Sequence, residues 1–550
     1  MKLIQLSLIV VTSIGLQACG DEASEVSASA STPTNLTYIS DYAEFIDGHS
    51  STYGLHMTAS DDGQFVAVST PQGTNNCNDN IVTDPSTCTN TSPVISGAVH
   101  MYQRDVDTKP ILLLKPNQSL TNAAKFGHRV SMTADGMWLA VAAPFDSLTG
   151  VNCVGIVRDY KLNCTGVATT GQDGYDAGAI YLFKRDNANT SWVLHQIIKH
   201  EHAQDSAFKG YAFGDEIAFS KDGTTFVVGR KNENLPTATG VTSTTQPTTV
   251  SSTAFDYGIV YVYLFDPSLG IMKFKQTATS DQTKKMGQWL HSLESDILVS
   301  SSKSISLVNA SSSGMLQLIS TDDDDVLKNL PVTFDDTNEM IYRHGKLYIG
   351  VPTINSDCVG VINANHLPDG KTTVQACLNN DGSAADSGAV LVYEFPTDEN
   401  GAVQPTLTEI LLQETPTANN KFGRSLTLSE DGKQLFIGHN DDKDCTGIIK
   451  SFDDDCANPA SVPNVGAIQQ YTRTDGTWTK TDLIKPTSIQ SGTAAYFGDH
   501  LKAFQFKNQF FFSSALSNHC PGMTNKDVDP CLDADKNSAI NGLITHYEIQ

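Results

Sequence analysis

Phe126-Gly127-His128-Arg129-Val130-Ser131-Met132-Thr133-Ala134-Asp135-Gly136-Met137-Trp138-Leu139-Ala140-Val141-Ala142-Ala143-Pro144, a polar stretch, then Gly178-Ala179-Ile180-Tyr181-Leu182-Phe183: this sentence decides the fold. It holds an opening Phe-Gly, a short strand, an Asp-Gly turn, a strand apolar on both faces, a long loop and a third strand. Trp192 to Ile198 supplies a fourth. Asp-Gly between two apolar runs signals a hairpin, because glycine accepts the positive φ the turn needs. A strand apolar on both faces belongs between two layers.

The sentence recurs along the chain. Its openings are Tyr53-Gly54, Phe126-Gly127, Phe213-Gly214, Met286-Gly287, a drifted copy near Phe334, Phe422-Gly423 and Phe497-Gly498. Its third strands open at Gly97-Ala98-Val99, Gly178-Ala179-Ile180, Gly258-Ile259-Val260, Gly314-Met315-Leu316, Gly388-Ala389-Val390, Gly466-Ala467-Ile468 and Gly542-Leu543-Ile544. The fourth copy is worn and has almost no loop. No copy can bury its own apolar faces alone, so the copies must pack against one another. The expected fold is all-β: a seven-bladed β-propeller of four-stranded antiparallel blades over residues 36–550. The last copy stops after its third strand. The β-capable stretch Leu36 to Tyr42 is expected to complete that blade and close the ring, removing an exposed edge.

The N-terminus reads as an export signal. Lys2 precedes the apolar run Leu3 to Leu16, and residues 1–18 end in Leu16-Gln17-Ala18 before Cys19. This resembles a bacterial lipoprotein cleavage box, which implies lipidation of Cys19 and a membrane anchor. Gly20 rather than Asp follows the cysteine, which by the same resemblance favours the outer membrane, with the protein periplasmic or surface-exposed. Residues 19–35 are small and polar and read as a flexible tether. A net charge of −25 without a basic stripe excludes nucleic acid, which needs clustered Lys and Arg.

Of eleven cysteines, ten remain after Cys19. They fall as neighbours, Cys77/Cys88, Cys153/Cys164, Cys358/Cys377, Cys445/Cys456 and Cys520/Cys531, each pair inside the loop between second and third strands. Recurrence at one place in the repeat points to five local disulfides. Zinc ligation would ask for Cys-x-x-Cys or matching histidines, which the chain lacks.

Phe-Gly, then Ala142-Ala143-Pro144 or Gly350-Val351-Pro352, then Gly388-Ala389-Val390-Leu391-Val392-Tyr393 resemble the FG-GAP repeats of integrin α-subunit propellers and their bacterial relatives. The resemblance covers about 36–550 and implies a recognition or adhesion role. Calcium is the one cofactor it raises. The calcium-binding repeats of that family carry Asp-x-Asp-x-Asp-Gly between their first two strands. Here those hairpins are short, as in Ser60-Asp61-Asp62-Gly63 and Ser220-Lys221-Asp222-Gly223, so too few oxygens converge for six to eight ligands. Other acidic runs are Asp441-Asp442-Lys443-Asp444, Asp453-Asp454-Asp455 and Asp533-Ala534-Asp535.

Long loops at the second-to-third position share one face of the ring, and short hairpins occupy the other. Stiffened loops on a rigid scaffold suit binding of a protein or polysaccharide. No nucleophile elbow, zinc helix or phosphate loop is present, so no catalytic residue and no metal ligand is assigned. His200-Glu201-His202 places two histidines on one side of a strand and reads as a surface edge. Trp138, Trp289, Phe422 and Phe497 read as packing between blades. The expected molecule is a monomeric, lipid-anchored envelope binding protein. A scaffold for envelope protein assembly and a polysaccharide-active propeller enzyme are the alternatives.

Overall fold

A computed structural model of the protein describes residues 36–43, 53–320 and 339–485 apart from short stretches within them, and the strands Ala503–Phe506, Gln509–Ser514 and Leu543–Ile549. Cys19, the leader and tether, Phe334, Phe497, Cys445, Cys456, Cys520, Cys531 and the three acidic runs lie outside the described residues. The compact unit runs from Leu36 to Gln550. Among the described residues no helix is long and apolar enough to cross a membrane.

The protein is all-β. Among the described residues the strands form seven antiparallel sheets of four or five strands and two small two-stranded ones. The second sheet is representative. Its strands run Val130–Met132, Trp138–Ala143, Ala179–Arg185 and Trp192–Ile198, hydrogen-bonded in that order. Ala143 faces Ala179, Leu139 faces Phe183, and Ile180 faces Ile198.

Alternation along each strand sends side chains to opposite neighbours. Leu139, Val141 and Ala143 pack with Phe65, Val99 and Met101 of the first sheet. Ala140, Ala142, Ile180 and Leu182 pack with Ile217, Phe226, Val228 and Tyr261 of the third. The same division recurs between the third and fourth, fourth and fifth, and fifth and sixth sheets. Continuous apolar runs in the middle strands follow directly from having a neighbour on each face.

The repeat's glycines form the seam between sheets. Gly97, Gly178, Gly258 and Gly388 each make a parallel bridge to Phe126, Phe213, Met286 and Phe422 of the next sheet. A β-carbon on Gly388 would stand 2.1 Å from the Phe422 carbonyl oxygen. The opening Phe-Gly and the Gly before the third strand are therefore two halves of one contact, made by consecutive copies.

The first strand of each sheet lies beside that of the next. Met57–Ala59 neighbours Val130–Met132, which neighbours Glu216–Phe219, then Trp289–Ser292, Met340–Arg343, Ser425–Leu428 and Ala503–Phe506. Ala503–Phe506 in turn neighbours Met57–Ala59. The strand Leu36–Ala43 pairs with Leu543–Ile549, Leu36 opposite Ile549 and Ala43 opposite Leu543, so the first and last strands share a sheet.

Two expectations need correction. In the worn fourth copy, Gly314-Met315-Leu316 does not open the third strand. Ser304–Asn309 is the third strand and Met315–Ser320 the fourth, with only 301–303 joining the second strand to the third. The sheets are also not uniformly four-stranded, since five of the seven carry a fifth strand. It comes from the long loop and pairs outside the fourth: Ile81–Val82 on Leu113 and Leu114, Ile156–Val157 on Ile197 and Ile198, Thr242–Ser243 on Thr277 and Ala278, Val361–Asn363 on Glu409 to Leu411, and Ile448–Ile449 on Leu483 and Ile484. The fourth strand would otherwise be an open edge, and the cap satisfies part of it.

Candidate binding site

Disulfides hold the capping strands. Cys77–Cys88 encloses Ile81–Val82, Cys153–Cys164 encloses Ile156–Val157, and Cys358–Cys377 encloses Val361–Asn363. The stapled loop therefore folds back over its own sheet's outer edge. Cys153, Cys164 and Cys377 are fully buried, and their neighbours include core residues such as Leu148 and Val374.

Between the first two stapled loops lies a groove of about 590 Å³. Asn78, Asp79 and Asn80 form one wall, and Tyr160, Lys161 and Thr165 the other, with Asn117 and Gln118 at the base. The base is fixed in place: the Asn117 side chain donates to the Cys164 carbonyl at 3.1 Å, and Gln118 to the Thr165 carbonyl at 2.8 Å. Ser119 donates to the Cys77 carbonyl at 2.6 Å, tying the other wall to the same linker. Asp79 and Lys161 are exposed. Val193, 52% exposed, adds an apolar spot at the rim.

A second cavity, of about 770 Å³, runs along the first strands of six sheets. One register position recurs along its lining, beside other charged groups such as Asp61, Lys221, Glu294 and Arg343. It lies two residues past the opening glycine: His56 after Gly54, Arg129 after Gly127, Glu216 after Gly214 and Trp289 after Gly287. Glu339 precedes Met340 as His56 precedes Met57, and completes the set. Arg129 Nε meets Glu216 Oε1 at 2.5 Å, and its guanidinium also contacts His56. His128 Nε2 lies 3.6 Å from Asp215. Burial lowers the His128 pKa despite that carboxylate. Burial would raise Asp215, but the His128 hydrogen bond and the charges of Lys231 and Arg129 hold it below its ordinary value. Two hydroxyls close the wall: Thr58 accepts the Met132 amide at 3.2 Å and Ser131 the Phe219 amide at 2.9 Å, partnering donors on inner edge strands. This polar register was missed in the sequence, where the visible signal was a polar residue at a fixed offset from successive Phe-Gly pairs.

The Asp-Gly hairpins have a local job. Ser60, Thr133, Ser220 and Ser429 each donate to the aspartate two residues on, at 2.6 to 2.7 Å. That aspartate accepts the backbone amide two further on, as Asp135 does from Met137 at 2.9 Å. Gly63, Gly136, Gly223 and Gly432 take the positive φ. These carboxylates are engaged within their own turns. Among the described residues no three His, Cys, Asp or Glu side chains converge in a metal-holding geometry.

His200 and His202 do not sit on a strand, which ends at Ile198. His200 is fully buried, stacked on Phe208 with centroids 4.3 Å apart and packed on Tyr211 and Tyr261, and burial pushes its pKa down to about 3. His202 turns outward to Asp205 at 2.8 Å. Trp138 packs between the second and third sheets and Phe422 between the fifth and sixth, whereas Trp289 also lines the second cavity.

No family model and no curated protein matches the chain. Among solved structures, the acylaminoacyl peptidase of Pyrococcus horikoshii aligns at 8% identity and a TM-score of 0.33, over 82% of this chain and 48% of that one. The chain thus spans about half the length of that peptidase. The AfRom2 CNH domain aligns at 8% identity and a TM-score of 0.38, over 93% of this chain and 98% of that domain.

Proposed function

We propose that the protein is a seven-bladed, FG-GAP-like β-propeller whose ring is closed by Leu36–Ala43, anchored by lipid at Cys19, and that it binds a macromolecule of the cell envelope or its surroundings through the stapled loops. The cyclic order of first-strand neighbours and the sharing of one sheet by first and last strands support the ring. The observation that carries the binding reading is the groove between Cys77–Cys88 and Cys153–Cys164. Two disulfides and three side-chain-to-backbone bonds set its walls in advance, which lowers the ordering cost of binding. Its amide and hydroxyl lining with Tyr160 at one wall favours a hydrogen-bonding polymer, with neutral polysaccharide the best fit. In the second cavity Arg129 pairs with Glu216 and Lys221 with Asp61, which suits a wall more than a reaction centre.

The test is a photo-crosslinking residue at Asp79 or Lys161 in the full chain on intact cells. Adducts to a surface polymer that vanish with added soluble polymer support the proposal. Adducts only to envelope assembly proteins replace it with the scaffold role. Membrane release by Cys19→Ser tests the anchor separately.

A further inference from the structure

The second sheet holds a buried polar cluster that the binding reading leaves unused. Lys199, Asp146, Asn122 and Tyr181 all have zero exposure. Asp146 bridges the others. Its Oδ1 accepts from Lys199 Nζ at 2.7 Å and from the Leu148 amide at 3.0 Å. Its Oδ2 accepts from the Asn122 side-chain amide at 2.8 Å and from the Tyr181 hydroxyl at 2.7 Å. The Asn122 carbonyl oxygen accepts the Ser147 backbone amide at 3.1 Å, and the Asn122 side chain also donates to the Asn117 carbonyl at 3.2 Å.

A buried ion pair is costly to build, and replacing such a pair by apolar residues is often neutral or stabilising. Packing alone does not call for this constellation, and the first sheet shows the contrast. Lys115 directly follows its fourth strand as Lys199 does, the last strand residues Leu114 and Ile198 facing the same register of the third strand, Val99 and Ile180. Gly73 stands there in the place of Asp146, and the Lys115 amine donates to Ser96 at 2.7 Å. The second sheet instead supplies an amine, a carboxylate touching both reacting partners, and a backbone donor on a side-chain carbonyl. Those are the parts of an acyl transfer between side chains.

We propose that Lys199 and Asn122 join in an intramolecular isopeptide bond, with Asp146 as the proton carrier. Asp146 takes a proton from the Lys199 ammonium. The freed amine attacks Asn122 Cγ, and the charge that develops on Oδ1 is met by the Ser147 N–H. Asp146 then passes its proton to Nδ2. The Cγ–Nδ2 bond breaks as the Nζ–Cγ bond persists, and ammonia leaves, carrying the second amine proton away as ammonium. No oxidant or cofactor enters the balance. The product ties the linker before the Phe126 opening to the end of the fourth strand, closing the second sheet into a covalent loop.

Peptide mapping of the purified full chain by mass spectrometry tests this. The expected result is a branched peptide joining the segments around Asn122 and Lys199, lighter by one ammonia than their sum, and faster migration of the reduced, boiled chain on a denaturing gel. Lys199→Arg keeps a cation against Asp146 and should abolish both signals, as should Asp146→Asn, which retains both partners of the bond. Recovery of the two segments only as separate, unmodified peptides would overturn the proposal. So would ammonia loss at Asn122 that persists in Lys199→Arg, which marks a local cyclisation, and so would loss of water with a link at Asp146, which moves the bond to the carboxylate.

Discussion

Alanine at Gly388 and at Gly370 should differ sharply in cost, and the difference measures the seam between sheets. Both glycines take a left-handed backbone, φ +84° and +82°. Alanine in that region costs about 1–2 kcal/mol at either position. A β-carbon on Gly370 meets nothing within 4 Å. On Gly388 it would stand 2.1 Å from the Phe422 carbonyl oxygen and 2.4 Å from its nitrogen, where ordinary contact begins at 3.4 Å. The backbone of Phe422 must retreat by roughly 1 Å, which strains the hydrogen bond that the Phe422 N–H donates to the Ser387 carbonyl, now 3.0 Å, at about 1–3 kcal/mol for a buried donor left unpaired. It also displaces the fully buried Phe422 ring from its packing against Leu426, Leu435 and Tyr471. The sum places Gly388→Ala at about 4 kcal/mol or more, in the range that marks a specific structural fault. Urea unfolding of both full-length variants, followed by tryptophan fluorescence, reads the difference. Equal midpoints for the two variants would refute the reasoning, because only backbone conformation would then be at stake and the glycine would have no seam to serve.

Other groups give further tests. Burial pushes the His100 pKa down to about 3, with the nearby Lys115 charge adding to the effect. Between pH 6.5 and 3 the unfolded chain binds a proton the folded one refuses, so stability should fall as pH drops through that window, by about 5 kcal/mol at its lower end. His100→Gln should flatten that limb, and parallel urea midpoints from pH 7 to 4 for variant and parent would exclude it. Burial likewise pushes Lys115 down to about 7. There the unfolded chain holds the extra proton between about pH 7 and 10.5, so stability should rise with pH across that range. Lys115→Met should be more stable than the parent at pH 7 by roughly 1–4 kcal/mol, with the gap closing towards pH 10. Replacing Cys153 and Cys164 by serine removes a staple of about 3 kcal/mol in the chain-entropy model. Amide exchange should quicken at Ile156 and Val157 while Leu139 to Ala143 stay protected, and uniform loss across the sheet would show that the staple supports the core instead.

The order of strands was legible because each depends on local chemistry. Asp135-Gly136 makes its turn from side chains within five residues, and the apolar run Leu139 to Ala143 announces two-sided burial by itself. The pairing of cysteines inside one loop was readable for the same reason, and Cys77–Cys88, Cys153–Cys164 and Cys358–Cys377 are bonded in that way. Contacts made between copies were not legible. Nothing in Gly178 names Phe213 as its partner, and nothing in His56 names Arg129. The fifth strands were missed because two-residue pairings such as Ile156–Val157 on Ile197 and Ile198 are too short for periodicity to register. The sequence does carry a signal for some of them, a Cys-x-Gly-aliphatic-aliphatic pattern: Gly155-Ile156-Val157 and Gly360-Val361-Ile362 both follow a cysteine by two residues. In the fourth copy the pattern match failed because its loop is gone, and the Gly314 signal lay one strand too late.

What the disulfides are for can be argued from the sheets that lack them. The third sheet has a long loop and a capping strand, Thr242–Ser243, yet that copy carries no cysteine pair. A cap can therefore form without a staple. The fourth sheet has a connection of only 301–303, no cysteines, and no cap among the described residues. Losing the loop removes cap and staple together, while keeping the loop does not require the staple. A disulfide that existed only to cover the edge would be expected in the third sheet too. What the staples add is a fixed shape for the rest of the loop beyond the two paired residues. That fixed shape is what forms both walls of the groove between the first and second sheets, and the recognition role proposed for that groove rests on it.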